Sequence, residues 1–222
     1  MRKILQIILL FISVEAHAQF SMSVSIGVSS NKQSDLRALQ DDNVSNALIP
    51  VRTVNNFEAT VHTQLALCYL IGSKNELGIY SVIKSAGARS GLQDSTGSYL
   101  IDQKANLFSL GFQYARVFGT NFRSGMRLGF NQTTNFLERS IEVHSNTIFH
   151  DSLKLKADGF GANPFIGFQK PLFNYIALGI EAGYLIDFSN DFKVGSLKTD
   201  IKPDWSGYRI SAKLAYTFYR KI

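Results

Sequence analysis

The sequence predicts an all-β chain that crosses a membrane as a barrel of eight antiparallel strands, and three observations lead to this prediction. Most of the chain consists of segments in which apolar and polar residues alternate strictly, a pattern typical of β-strands. Short and long connections between these segments alternate along the chain. Most ionisable residues within the segments share the phase of serine, glycine and threonine, and the opposite phase is almost entirely aliphatic or aromatic.

The first 18 residues are predicted to be a signal peptide, and residues 19–222 form the barrel domain. A basic start, an apolar stretch and the small-x-small sequence Ala16-His17-Ala18 are the parts of an export signal. The apolar stretch is shorter than the roughly 20 residues that a membrane-spanning helix needs. An amphipathic helix of a soluble protein is the alternative, and the lack of a polar face argues against it. We therefore expect the mature chain to leave the cytoplasm.

Composition excludes several classes of protein. The chain has 23 basic and 17 acidic residues, a mild and scattered excess that does not indicate a nucleic-acid partner. A single cysteine, Cys68, allows no internal disulfide, and we expect it to be buried and inert. No apolar run of helix length follows the signal, although 45% of the residues are hydrophobic. Transmembrane barrels have this composition because lipid-facing and lumen-facing residues alternate.

The first four predicted strands differ in how clearly they alternate. The first, Phe20–Ser29, alternates apolar residues with serine or glycine over its whole length, and the second, Phe57–Ile71, alternates them with polar or small residues. The third, Leu77–Ser85, is the weakest, with three apolar residues in phase. The fourth, Leu107–Val117, alternates phenylalanine, leucine and tyrosine with serine, glycine and glutamine.

The last four predicted strands complete an even number. The fifth, Phe122–Asn131, sets apolar residues against arginine and glycine, and the seventh, Tyr175–Phe188, keeps seven apolar residues in register. The sixth, Gly159–Gln169, contains Pro164, which a closed barrel tolerates poorly, so we expect a β-bulge there. The eighth, Tyr208–Tyr219, sets aromatic and aliphatic residues against arginine, serine and lysine.

The connections predict an up-and-down topology in which one end of the barrel has short turns and the other has long loops. Three tight turns, at 72–76, 118–121 and 170–174, alternate with four long polar loops, at about 30–56, 86–106, 132–158 and 189–207. Membrane barrels have short periplasmic turns and long extracellular loops. A water-soluble, lipocalin-like barrel is the alternative, with the charged row outward and an apolar ligand cavity. The loop asymmetry, and aromatic residues that cluster at strand ends, favour the membrane.

The charged row predicts what fills the barrel. A charge on the lipid-facing side costs about 2–4 kcal/mol at the membrane midplane, so this row must face the lumen. An eight-stranded barrel is just wide enough for side chains to fill it, and buried charges must pair. We therefore expect a salt-bridge network that plugs the lumen; a narrow conduit or a ligand pocket that uses the same arginines is the alternative. The predicted network comprises Glu58, His62, Arg123, Arg127, Glu181, Asp187, Arg209 and Lys213.

The chain resembles the small outer-membrane β-barrel proteins of Gram-negative-type bacteria and is similar to OmpA-type transmembrane domains and PorT-like barrels. The features that carry the resemblance are the export site Ala16-His17-Ala18-Gln19, the three tight turns and the closing strand Tyr208–Phe218. The resemblance implies an outer-membrane location, contact with membrane lipid and lipopolysaccharide, and insertion by the barrel assembly machinery. It names no extracellular partner.

Motifs that would indicate chemistry are missing from the sequence, which has no C-x-x-C, H-E-x-x-H, G-x-S-x-G or P-loop. His144 and Ser145 are adjacent, so on a strand they would face opposite sides, and a metal site from His144, His150 and Asp151 is a weak hypothesis. We expect no enzyme and no cofactor. Three functions remain open: a structural or surface-interaction barrel, a narrow channel or transporter for a small hydrophobic or anionic solute, and a lipid-modifying barrel enzyme. A soluble secreted barrel is the alternative at the level of the fold.

Overall fold

A computed structural model describes residues 19–47, 49–71, 74–143 and 146–218. The predicted signal peptide, 1–18, and His144 lie outside the described residues. A search of the described residues finds no helix with the length and apolar character needed to cross a membrane.

Eleven strands and one helix make up the described chain. Their bounds are β1 (Gln19–Ser29), α1 (Ser34–Ser45), β2 (Arg52–Asn56), β3 (Thr60–Ile71), β4 (Asn75–Gln93), β5 (Gly97–Phe118), β6 (Phe122–Val143), β7 (Asn146–Pro171), β8 (Ile176–Ser189), β9 (Lys193–Val194), β10 (Leu197–Lys198) and β11 (Gly207–Phe218).

Eight of these strands close into an antiparallel ring. Each of β1, β3, β4, β5, β6, β7, β8 and β11 pairs with the next, and β11 returns to β1. The predicted eight-stranded, up-and-down fold is confirmed, with short turns at one end, which we call the periplasmic end. Gly119 supports one such turn because its φ of 62° lies in the left-handed region, which glycine adopts without steric cost.

An apolar belt faces outward around the ring. Phe112, Ile180 and Leu214 are 71%, 65% and 51% exposed, and most other outward residues at this level are also aliphatic or aromatic, with Thr63 and Ser81 as exceptions. A closed barrel satisfies the backbone hydrogen bonds of its wall internally, and an exposed belt of this extent is stable only against hydrocarbon. The protein is an integral outer-membrane β-barrel. Outward aromatic residues mark the extracellular edge of the belt: Phe108, Phe130, Phe160, Phe188 and Tyr208.

The wall continues beyond this aromatic edge, which corrects the predicted loops. Residues 86–106 and 132–158 were expected to be loops, but most of the described residues in these ranges are paired strands that extend β4–β5 and β6–β7. Their polarity is inverted relative to the membrane-spanning part: Ile101 and Leu155 point inward and are buried, whereas Lys104 and Lys156 point outward. A wall that faces water needs this arrangement, with polar side chains toward the solvent and apolar side chains toward the interior. We call the two parts the membrane half and the extracellular half.

The loop that precedes β3 is also structured. The helix α1 lies over the barrel mouth, and β2 pairs with the upper part of β4, which β3 does not reach. Side-chain hydrogen bonds hold α1 in place; among them, Gln40 Nε2 donates to Ser90 Oγ at 2.8 Å, and Arg37 Nη2 donates to the Phe57 carbonyl oxygen at 2.9 Å.

Apolar side chains fill the extracellular mouth from inside. Phe57, which has a φ of 50°, is fully buried, as are Phe192 and Trp205. The indole Nε1 of Trp205 donates to Thr133 Oγ1 at 3.0 Å, so its only polar group is satisfied. We call this cluster the mouth plug; it consists of Leu36, Phe57, Ala86, Ala88, Ala105, Leu107, Leu155, Ala157, Leu185, Phe192 and Trp205.

The expected bulge at Pro164 is wrong. The pairing of β6 with β7 runs without a shift through Asn163 and Pro164. On the other side, β7 and β8 keep the same register above and below these two residues, which themselves form no assigned pair with β8. The wall therefore accommodates the missing N–H of proline by a local gap in one ladder, without an inserted residue.

Candidate functional site

The most buried ion pair lies in the centre of the lumen. Arg127 on β6 faces Glu181 on β8, and its two terminal nitrogens donate to the two carboxylate oxygens at 2.5 and 2.7 Å. Arg127 Nε donates to Gln113 Oε1 at 3.0 Å, and its guanidinium lies 3.9 Å from the centroid of the Phe165 ring. Such a bidentate and stacked arrangement offsets much of the cost of desolvating both charges.

Three glycines in one row make space for this layer. Gly111, Gly129 and Gly161 are paired across β5, β6 and β7. A Cβ atom at Gly129 would lie 2.3 Å from the hydroxyl of Tyr80, which belongs to the same row on β4 and whose ring centroid lies 6.0 Å from the Arg127 guanidinium. A side chain at this position would therefore displace the residues that surround the central arginine.

A second ion pair lies nearer the periplasmic end. Arg123 Nη1 is 2.7 Å from a carboxylate oxygen of Glu76, and Glu76 is buried. Both residues line a cavity of about 360 Å³, together with Gln169, Thr217 and residues of the short turns. The lumen is therefore open to water at this end, down to the level of the second ion pair.

Asp187 lies at the upper side of the lumen and accepts three hydrogen bonds. They come from Asn131 Nδ2 at 2.8 Å, Ser189 Oγ at 2.8 Å and the backbone N–H of Trp205 at 3.1 Å. The Asp187 N–H in turn donates to Ser206 Oγ at 3.0 Å. This carboxylate therefore attaches the segment that carries the Trp205 part of the mouth plug to the barrel wall.

Three buried cations have no ion pair among the described residues: Lys84, Arg209 and Lys213. Lys84 Nζ has no hydrogen-bond partner and lies 4.8 Å from the centroid of the Trp205 ring, a favourable position for a cation. Arg209 Nε and Nη2 are also unpartnered, as is Nδ1 of buried His62. Asp187 and Asp204 act on Lys84 only at longer range. The upper lumen therefore contains positive charge that no carboxylate contacts directly.

Seven of the eight predicted network residues line the barrel interior, but the inclusion of Glu58 is wrong. Glu58 is exposed and precedes β3, which begins at Thr60. The alternation of β3 breaks at the left-handed turn of Phe57, so the phase that assigned Glu58 to the lumen does not extend to it.

Sequence reasoning missed two charged residues of the interior. Glu76 was assigned to a turn, although it lies in β4 and pairs with Arg123. Lys84 was passed over because the third predicted strand alternates weakly. Its inward neighbours at i−2 and i−4, Val82 and Tyr80, are both apolar, which concealed the phase. A strand that begins at Asn75, as β4 does, places Glu76 on the inner face in phase with Lys84.

The described residues give little support to the hypotheses of a catalytic site or a metal site in the loops. His150 and Asp151 are exposed neighbours on β7, and Asp151 is paired with Arg139 Nη2 at 2.7 Å. Among the described residues, no three His, Cys, Asp or Glu side chains are grouped so that they could hold a metal ion. Asp151 is thus used in a surface ion pair.

Comparisons with known proteins give structural similarity only. No protein-family model and no curated protein matches the chain. Three solved structures of similar outline are Ail, the attachment invasion locus protein of Yersinia pestis (12% identity, TM-score 0.44, covering 91% of this chain and 99% of that one), OprG of Pseudomonas aeruginosa (15%, 0.46, 92% and 97%), and Neisserial surface protein A (8%, 0.40, 90% and 99%). None of these similarities is high enough to transfer a function.

Proposed function

We propose that the protein is a structural, surface-presenting barrel of the outer membrane whose lumen is closed to solutes. The observation that carries this proposal is the double filling of the barrel. The mouth plug occupies the extracellular end with buried apolar side chains, and the Arg127–Glu181 layer occupies the centre. Water and ions would have to cross both, and a packed apolar cluster offers them no hydrogen bonds.

The extracellular half supports the part of the proposal that concerns the surface. Paired strands carry its hairpins outward from the membrane, and their ends display exposed apolar residues such as Leu92, Ile148 and Leu197. Binding residues are often presented in this way, on loops held by a rigid scaffold. The chemistry of these ends does not identify an extracellular partner.

The experiment that tests closure is conductance in planar bilayers. We expect purified wild-type protein, verified as folded by heat-modifiable migration, to give no stable channels. Trp205→Ala shortens the largest side chain of the mouth plug and is expected to give brief openings, whereas Leu197→Ala, which changes an exposed side chain in the same connection between β8 and β11, should give none. Large, stable channels in the wild type would contradict a closed lumen.

The second candidate is a narrow channel for small anionic solutes. The open periplasmic cavity and the unpaired cations Lys84 and Arg209 favour it, because a positive lumen attracts anions. Liposome swelling separates the two candidates: faster uptake of small anions than of neutral solutes of equal size supports the channel, and no uptake of either supports closure.

We also propose that the protein is not an enzyme and that it has lipid and the barrel assembly machinery as its general partners. The interior charges that the structure brings together are tied in ion pairs or surrounded by packed side chains, which is not the arrangement of an accessible nucleophile and base. Mass analysis of membrane lipids in a deletion strain tests this. An altered acyl or headgroup profile that complementation restores to the wild-type profile would favour a lipid-modifying barrel.

A further inference from the structure

Three basic side chains enter the upper lumen from neighbouring positions of one wall. Lys84 on β4 is directly opposite His62 on β3. His62 and Ser211 lie on either side of Gly27 of β1, and Arg209 is the next inward residue of β11 above Ser211. Arg209 is also the charged group that acts most strongly on both Lys84 and His62. We call Lys84, His62 and Arg209 the basic cluster.

The basic cluster is enclosed between two packed layers. Above it, Lys84 Nζ lies 4.8 Å from the centroid of the Trp205 ring in the mouth plug. Below it, Arg127 of the central ion pair is the charged group that acts most strongly on Arg209. The side chains of Lys84, His62 and Arg209 are only 2%, 3% and 6% exposed. The cluster therefore lies inside the wall, where lipid headgroups do not reach.

The carboxylates nearest the basic cluster are engaged elsewhere. Both oxygens of Glu181 accept from Arg127, and the three hydrogen bonds that Asp187 accepts come from outside the cluster. Asp204 accepts from a backbone N–H. These carboxylates act on the cluster only at longer range. Because a guanidinium does not lose its proton in proteins and a buried charge without a counter-charge is costly, the cluster needs negative charge from another source.

The guanidinium of Arg209 presents an edge that is shaped for two oxygen atoms. Its Nε and Nη2 have no hydrogen-bond partner among the described residues. Arg89 uses the same two nitrogens to hold both carboxylate oxygens of Asp102, at 2.6 and 2.7 Å. Two parallel N–H groups match the spacing of two oxygens in a carboxylate or phosphate. The edge of Arg209 therefore favours an oxyanion over a monatomic halide.

Further donors surround the same part of the lumen. Lys84 Nζ has no hydrogen-bond partner among the described residues, and neither has Nδ1 of His62. Gln64 Nε2 and Ser25 Oγ are also unpartnered; these two residues face each other on β3 and β1, one inward position below His62. Water can satisfy neutral donors, but it supplies no charge to balance the cations. The donor set therefore matches an anion with several oxygens.

We propose that the basic cluster binds one small inorganic oxyanion, of the size of phosphate or sulfate, inside the upper lumen. The Nε–Nη2 edge of Arg209 holds two of its oxygens, and Lys84 with the neutral donors holds the others. The anion links β3, β4 and β11 and balances charges that the described carboxylates do not contact. This site goes beyond the proposed function and does not depend on it, because a stationary anion is compatible with a closed or a conducting lumen.

The test measures retention of a labelled anion. Each protein is refolded into detergent micelles with radiolabelled phosphate or sulfate at constant ionic strength, free label is removed by gel filtration, and label per folded barrel is counted. Heat-modifiable migration gives the folded fraction. The cluster variant K84M/R209M removes both cations and keeps long side chains that suit a buried site. The control K32Q/R52Q removes one lysine and one arginine at exposed positions.

We expect wild type and control to retain one labelled anion per barrel, and the cluster variant to retain at least roughly ten-fold less. Equal retention by the cluster variant would overturn the proposal, as would the absence of retained label in the wild type. A competition on the wild type alone stands even if the cluster variant does not fold. A large excess of chloride during refolding should leave the label in place, whereas displacement by chloride would indicate a halide site and contradict an oxyanion site.

Discussion

The two halves of this barrel share the same strands but arrange polarity in opposite ways. On β5, Phe108 and Phe112 face outward in the membrane half and Gln113 faces inward, whereas Lys104 faces outward in the extracellular half and Ile101 inward. No strand break or register shift separates the halves of β5. Only the surroundings change, from hydrocarbon to water. The membrane half therefore turns its polar residues inward, and the extracellular half turns its apolar residues inward.

This difference has energetic consequences, because the same kind of interaction is buried in one half and exposed in the other. The ion pair Arg127–Glu181 is enclosed in the membrane half, whereas Arg139–Asp151 lies on the surface of the extracellular half. Breaking a buried pair by removing one partner costs much more than breaking an exposed one. Matched substitutions in the two halves therefore measure the contrast directly.

The largest effect is expected from Glu181→Gln. The substitution leaves Arg127 charged, buried and without a carboxylate, and should lower the free energy of unfolding by about 3–5 kcal/mol. Urea unfolding in lipid vesicles, followed by heat-modifiable migration, measures the loss. The control, Asp151→Asn, breaks the exposed pair with Arg139 and should cost no more than about 1 kcal/mol. Similar losses in the two variants would show that burial does not distinguish the halves.

Trp205→Ala is expected to be next, with a loss of about 3 kcal/mol. It removes the largest side chain of the mouth plug and leaves a cavity, but the overlying segments can settle into part of the space. The control is Leu197→Ala in the same loop region, where the side chain is exposed and the change should stay within about 0.5 kcal/mol. If Trp205→Ala leaves the free energy of unfolding unchanged, the mouth plug is not packed as a core.

An effect of similar size is expected when a charge is placed on the outer wall. Ile180→Lys puts an ammonium against hydrocarbon in the membrane half and should cost about 2–4 kcal/mol. Ser152→Lys makes the same kind of change on the outward face of β7 in the extracellular half, where water solvates the charge, and should stay within about 0.5 kcal/mol. The same vesicle unfolding experiment measures both. If Ile180→Lys is tolerated equally well, hydrocarbon does not contact that face.

The smallest effect concerns pH at the tip of the β4–β5 hairpin. The Asp94 carboxylate accepts hydrogen bonds from the Thr96 hydroxyl, the Thr96 N–H and the Gly97 N–H, which lower the pKa of Asp94 below its ordinary value. A lowered folded-state pKa means that the stabilisation is present above the unfolded-state pKa and is lost as pH falls through the folded-state pKa.

Amide exchange at the hairpin tip measures this dependence. We expect the opening of Thr96 and Gly97, after correction for the intrinsic pH dependence of exchange, to increase in acid below the ordinary range of an aspartate. Asp94→Asn keeps the shape but does not titrate, so its corrected opening should be flat over the same range. A parallel acid response in both proteins would assign the effect to another group.

Alternation in the membrane half was enough to predict the ring of strands and the direction in which most charges point. Arg127, Glu181 and Lys213 keep strict phase with serine and glycine, so their inward orientation follows from the pattern. The interior was less predictable where the pattern was short or interrupted. Glu58 was misplaced because a left-handed residue, Phe57, ends the alternation, and Lys84 was missed because its inward neighbours are apolar.

The sequence by itself predicted an eight-stranded membrane barrel, because a period of two is a local property of each strand and the alternation of short turns with long loops favours the membrane over a water-soluble barrel. Only the tertiary structure decided that β4–β7 continue into the water, and that α1, Phe57 and Trp205 lie in the mouth of the barrel. In the extracellular half the same alternation has the opposite polarity, and alternation does not reveal which solvent faces which side. That choice depends on contacts between residues far apart in the chain, which pack against each other only when the ring has closed.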